Sequence, residues 1–178
     1  MVSWMPALQN NNIAPAQPTS VNRADALSIV NKTLTAAYQV LKNNKACRDA
    51  LSGYSNALKA FAGTLKSDNI TVKENTDGKG VIAQTFPETG LNYGFMTIYN
   101  AFFNNMNFSI GKTDADSLGM GIDEKRLLVI LHEIGHITKQ FSHGGLIRFP
   151  AKEILDQAQT NKKVYENCFP KQSHKIDL

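Results

Sequence analysis

Three side chains in this chain have the types and spacing for metal-assisted hydrolysis: His132, Glu133 and His136. They lie in the run LLVILHEIGHITKQF, from Leu127 to Phe141. On a helix, positions i and i+4 stack on one face, so the two imidazoles converge on a single metal ion. Glu133 stands at the edge of that face, within reach of a water bound to the metal. Two His ligands and a carboxylate base are the donor and proton-transfer set of a zinc hydrolase. A motif with three fixed positions also arises by chance, and a helix can carry two solvated His beside a solvated Glu. Here it takes two of only four His and sits in the most hydrophobic stretch of the chain. Burying three ionisable groups there is costly unless something compensates them. Zinc does so most simply.

The elements that must position these residues are readable from periodicity. Leu127 to Leu131, Ile134, Ile137 and Phe141 make the motif helix apolar on most sides, which predicts burial. Asp123 and Glu124 give it an acidic first turn, with Asp123 the expected N-cap. Gly135 costs about 1 kcal/mol in a helix interior, so a packing or access reason for it is expected. Upstream, Arg23 to Asn43 shows apolar positions at helical spacing with Asn22 as cap. A second helical pattern runs from Ala46 to Leu65, interrupted by Gly53 and Gly63. Both are scaffold. Ile70 to Lys73 alternates, Asp77-Gly78-Lys79-Gly80 is a turn signal, and Val81 to Phe86 resumes the alternation, which predicts a hairpin. Phe95 to Tyr99 is a third strand. The loop from Asn100 to Gly121 holds Asp114 and Asp116, which read as solvated turn carboxylates because calcium-loop spacing is lacking. Gly144 and Gly145 stop the motif helix, and a last helix is expected from near Pro150. The fold class expected is α+β: N-terminal helices, a small mostly antiparallel sheet, the motif helix and a C-terminal helix. Residues 1–22 read as a flexible leader, 23–169 as the domain, and 170–178 as a tail.

Composition narrows the partners. With 178 residues, 42% hydrophobic and 19% charged, the chain fits one domain with a full core. The net charge of +4 is spread without a Lys/Arg cluster, which argues against a nucleic-acid partner. No apolar run reaches the ~18–20 residues of a membrane span. The N-terminal stretch lacks a basic n-region and a continuous apolar h-region, so no signal peptide is visible. Cys47 and Cys168 are either a bridge between an early helix and the C-terminus or two buried free thiols.

The order of elements resembles that of the zincin metallopeptidases. Val129, His132, Glu133, Ile134, Gly135, His136 and Ile137 match the longer zincin pattern; polar Thr138, where an apolar residue is preferred, departs from it. The resemblance implies a zincin-like fold, a resident Zn2+ and endopeptidase activity on a peptide or protein substrate. It further implies that Phe95 to Tyr99, the strand just ahead of the motif helix, pairs with extended substrate. More closely, the chain is similar to a group of bacterial zincin-like domains over roughly residues 25–169. The residues that carry this are Asn43-Asn44-Lys45-Ala46-Cys47, Ile98-Tyr99-Asn100-Ala101-Phe102-Phe103, Leu131 to His136, Gly144-Gly145 and Cys168-Phe169. That similarity implies a Cys47–Cys168 disulfide and hence a secreted protein, periplasmic or extracellular. A cytoplasmic location stays open.

The third metal ligand is the open position. The metzincin pattern places Gly at 139 and His at 142, where this chain has Lys139 and Ser142. His143 lies one residue late. The gluzincin logic takes an acidic residue from the next helix, which offers Asp156 or Glu153. Asp156 ranks first, His143 second and Glu153 third, although a carboxylate in a first helical turn is also favoured by the dipole alone. The function expected is peptide-bond hydrolysis by a zinc-bound water, with Glu133 as general base and His143, Tyr99 or Arg148 as a second oxyanion donor. The alternative is a catalytically inactive, zinc-stabilised binding or scaffold domain of the same shape.

Overall fold

The computed structural model describes residues 2–5, 22–73, 81–88, 92–104, 106–142 and 152–169. Strand β1 (Val2–Met5) is followed by helices α1 (Arg23–Asn43), α2 (Lys45–Ala50) and α3 (Ala57–Lys66). Strands β2 (Ile70–Lys73), β3 (Ala83–Pro87) and β4 (Gly94–Tyr99) come next, then a 3-10 turn at Asn100–Phe103. The short strands β5 (Ser109–Ile110) and β6 (Thr113–Asp114) precede the motif helix α4 (Ile122–Ile137). Strands β7 (Phe141–Ser142) and β8 (Glu153–Ile154) pair in parallel before the closing helix α5 (Gln157–Cys168). The fold is α+β.

One local reading holds and one changes. Asn22 caps α1 as expected, its side chain accepting from Asp25 N at 3.0 Å. The single helix expected from Ala46 to Leu65 is instead two, α2 and α3. Between them Gly53 lies so close to the backbone of Thr138 to Gln140 that a Cβ would overlap it. The break therefore lets this loop seat the end of α4.

The sheet has the order β1-β2-β4-β3. β1, β2 and β4 run parallel and only β3 is antiparallel to its neighbour, which overturns the mostly antiparallel sheet and the β2–β3 hairpin. The residues explain the order. Ile70 and Val72 of β2 register with Met96 and Ile98 of β4, and all four are buried. β3 has no buried residue, so it suits an edge and not the centre. A parallel neighbour needs a long crossover, and the excursion through β3 supplies it. Residues 2–5, expected within a flexible leader, pair with β2; four residues are too few to show a period. Phe95 to Tyr99, expected to pair with substrate, lies inside the sheet. β4 is bonded on both sides, and β3 ends the sheet among the described residues.

Helix α4 runs through the middle, against β3, α1, α3 and α5. That explains why Leu127, Leu128, Ile130, Leu131 and Ile134 are all fully buried, each contributing ~1.5–3 kcal/mol. Its N-cap is Gly121, not Asp123, and the Glu124 carboxylate accepts from Gly121 N at 2.8 Å. Asp123 is spent on Arg126 and Lys32. Asp114 accepts from the amide and hydroxyl of Ser117, which lowers its pKa, and Asp116 pairs with buried Lys125. Asp116 lies in a turn, whereas Asp114 is on β6.

Cys47 and Cys168 form a disulfide across 121 positions, tying α2 to α5. Asn44 Nδ2 donates to Asn167 O beside it at 3.1 Å. Closing so long a loop contributes up to ~4.7 kcal/mol in the chain-entropy model. Helix α5 starts later than the expected Pro150 because β8 takes Glu153 and Ile154. The predicted tail from residue 170 lies outside the described residues. No helix among the described residues is long and apolar enough to cross a membrane.

Candidate metal-binding and catalytic site

The local path of the chain around His136 begins with how α4 ends. Helical geometry stops at Ile137, not Phe141, because Lys139 adopts a left-handed conformation with φ of 59°. That conformation is costly for a residue with a Cβ, and several bonds impose it. Thr138 donates its hydroxyl to Leu51 O at 2.6 Å and accepts from Tyr54 N through its carbonyl at 2.9 Å. Lys139 O and Gln140 O accept from Lys152 N and Glu153 N. The polar Thr138 that departs from the apolar pattern is thus buried and used.

The reversal brings Phe141 back onto the helix. Its ring lies where a Cβ on Gly135 would be, so only glycine fits at 135. This is the packing reason the sequence implied. The same reversal sets Phe141 O 3.1 Å from His136 Nδ1. A carbonyl only accepts, so Nδ1 carries the proton there. Burial holds the His136 imidazole below its ordinary value of 6.5, and the Phe141 carbonyl offsets part of that.

His132 is anchored from the other side. Asn161, buried on α5, places Oδ1 2.7 Å from His132 Nδ1. The amide cannot turn round, because Asn161 Nδ2 donates to Ser109 O at 2.8 Å. His132 Nδ1 therefore donates, and its Nε2 bears a lone pair. The two Nε2 atoms lie 3.1 Å apart, each presenting a lone pair to the other. Two facing lone pairs repel unless a proton or a cation lies between them. Two nitrogens on one tetrahedral zinc, each ~2.0–2.1 Å from it, stand about 3.3 Å apart. The span of these two nitrogens fits two ligands on that ion.

Glu133, 8% exposed, turns toward the sheet. Its Oε2 accepts from the Thr85 hydroxyl of β3 at 2.7 Å. Glu133 and the edge strand are therefore in direct contact.

Two of the three third-ligand candidates are described, and both have other partners. Asp156 is not in the first turn of α5 but is its N-cap, exposed, with Oδ1 accepting from Gln159 N at 2.7 Å. Glu153 lies on β8, bonded to Gln140 Nε2 and ion-paired with Lys163. Among the described residues no third His, Cys, Asp or Glu joins His132 and His136 in a group able to hold a metal. His143 and Arg148 lie outside the described residues. Tyr99 falls on the opposite face of β4 from Met96 and Ile98, its hydroxyl donating to Gln84 Oε1 at 3.3 Å.

Sequence reasoning missed Asn161, Thr85 and the Phe141 carbonyl. Only Asn161 left a trace: an amide in the inward stripe of α5, in phase with Val164 and Cys168. Comparison with family models, curated proteins and solved structures gives no match to this chain.

Proposed function

We propose that the chain is a zinc-dependent metallopeptidase of zincin-like fold, acting as an endopeptidase on a peptide or protein substrate. The observation that carries the reading is the pair of Nε2 atoms, 3.1 Å apart, with both Nδ1 atoms committed to oxygen acceptors. Metal-ligating His characteristically donate the other ring nitrogen to such a partner. His132 and His136 supply two ligands. The third comes from His143 or, once it releases Gln159, from Asp156; the cap moves His143 ahead of Asp156. When bound, the metal supplies Lewis acidity that activates water and polarises the scissile carbonyl near neutral pH.

Glu133 takes a proton from water as the water oxygen bonds to the carbonyl carbon. It then delivers that proton to the amide nitrogen as the C–N bond breaks. Edge strand β3 offers backbone groups to an extended peptide, the mode called strand addition, and in doing so sets the peptide beside the carboxylate that Thr85 touches. The disulfide suits an oxidising compartment, and we assign the protein to the periplasm or the extracellular space.

The test is Glu133→Gln in zinc-loaded protein, assayed on a quenched peptide library. Retained zinc with hydrolysis reduced at least 100-fold is expected, within the range assigned to a general base. Hydrolysis at the native rate contradicts the base role. Zinc binding without hydrolysis in the native chain favours a zinc-stabilised scaffold instead.

A further inference from the structure

Thr85 sits in the middle of β3, across from Met96 of β4. Directly paired residues project to the same face, and Met96 is fully buried. Thr85 therefore points inward, toward α4. Its hydroxyl meets Glu133 twice, at 2.7 Å from Oε2 and 3.3 Å from the backbone carbonyl. An ionised carboxylate only accepts, so the hydroxyl donates. Such a charge-assisted contact is stronger than a neutral one. Threonine is β-branched and stiff at χ1, and β3 is locked to β4 through five paired positions, from Ala83↔Ile98 to Pro87↔Gly94. The donor is thus held by the sheet and not by the helix that carries the base.

We propose that Thr85 is a positioning residue for Glu133. It fixes the plane of the carboxylate relative to the two imidazoles and ties the base to the strand that receives substrate. This rests on the metallopeptidase reading above. A base on a four-bond side chain has several rotamers, and proton transfer needs one of them to persist through both transfers. A donor on the edge strand selects that rotamer. It also makes the position of the base answer to any displacement of β3 by bound peptide.

The experiment compares Thr85→Val, which keeps shape and removes the hydroxyl, with Thr85→Ser, which restores it. In metal-free protein labelled with 13C at the glutamate carboxyl, the Glu133 resonance is identified by its loss in Glu133→Gln. It is expected to move in the Val variant and to return toward the native position in the Ser variant. In zinc-loaded protein, kcat is expected to fall about tenfold in the Val variant, the worth of one hydrogen bond to a charged group. KM and zinc content stay native, and Ser recovers most of the rate. An unmoved resonance, a native kcat in the Val variant, or equal losses in Val and Ser overturns the proposal. A native chain that binds zinc and hydrolyses nothing overturns the hydrolase reading and the kinetic half of this one. The carboxyl resonance still decides whether the hydroxyl holds Glu133.

Discussion

Asn161 holds His132 from a different helix, Oδ1 to Nδ1 at 2.7 Å, while its own amide nitrogen is fixed on Ser109 O. The contact sets the tautomer of the imidazole, and the tautomer decides whether Nε2 offers a lone pair. Through it, β5, α5 and α4 share one hydrogen-bonded chain.

Replacing Asn161 by Leu removes that orientation while keeping the branched shape. Zinc affinity is expected to fall about 10- to 100-fold, the range for losing a residue that orients a ligand. Ser109 O also loses its partner, at a cost of about 1–3 kcal/mol if water does not reach it. Competition with a chelating dye reads the first effect, and urea unfolding of metal-free protein reads the second. Native zinc affinity would detach Asn161 from the site.

Gly135→Ala separates helix propensity from packing. Propensity alone predicts a gain of up to ~1 kcal/mol. The Phe141 ring occupies the space a Cβ needs, and overpacking costs ~1–3 kcal/mol. The net effect expected is lower thermal stability. Zinc affinity falls with it, because displacing Phe141 moves the carbonyl bonded to His136. A variant that melts higher than native contradicts this packing.

How far these contacts were legible follows from their range. His132 and His136 are four apart on one helix, so spacing alone put them on one face. Thr85 and Glu133 are 48 positions apart, and Asn161 and His132 29. Such pairs are set by how elements dock, which periodicity does not encode. The sheet shows the same limit. The alternation in β2 and β4 was visible, but that β4 rather than β3 lies next to β2 depends on which strand can be buried on one face. The end of α4 was misplaced because Lys139, an ordinary helix former, is held left-handed by partners from the loop after α2 and the approach to β8. That Asp156 caps α5 was not legible, because a spare carboxylate and a helix cap are the same residue type in sequence.

The disulfide gives a prediction independent of metal. Unfolded without reductant, the chain is expected to show no titratable thiol; with reductant it shows both. Reduction, or Cys47→Ser with Cys168→Ser, lowers unfolding stability by about 2–5 kcal/mol. Guanidinium titrations of the oxidised and reduced chain measure this directly. Two reactive thiols in native oxidised protein would contradict the bridge and the export assigned from it.

The central claim is that His132 and His136 ligate one metal ion, and elemental analysis for zinc tests it most directly. Native protein reconstituted with zinc is compared with His136→Ala, His143→Ala and Asp156→Ala. One zinc per chain in the native protein, lost in His136→Ala and in one of the other two, is predicted, and the latter names the third ligand. A native chain that takes up no zinc, or a His136→Ala variant that keeps it, contradicts the account.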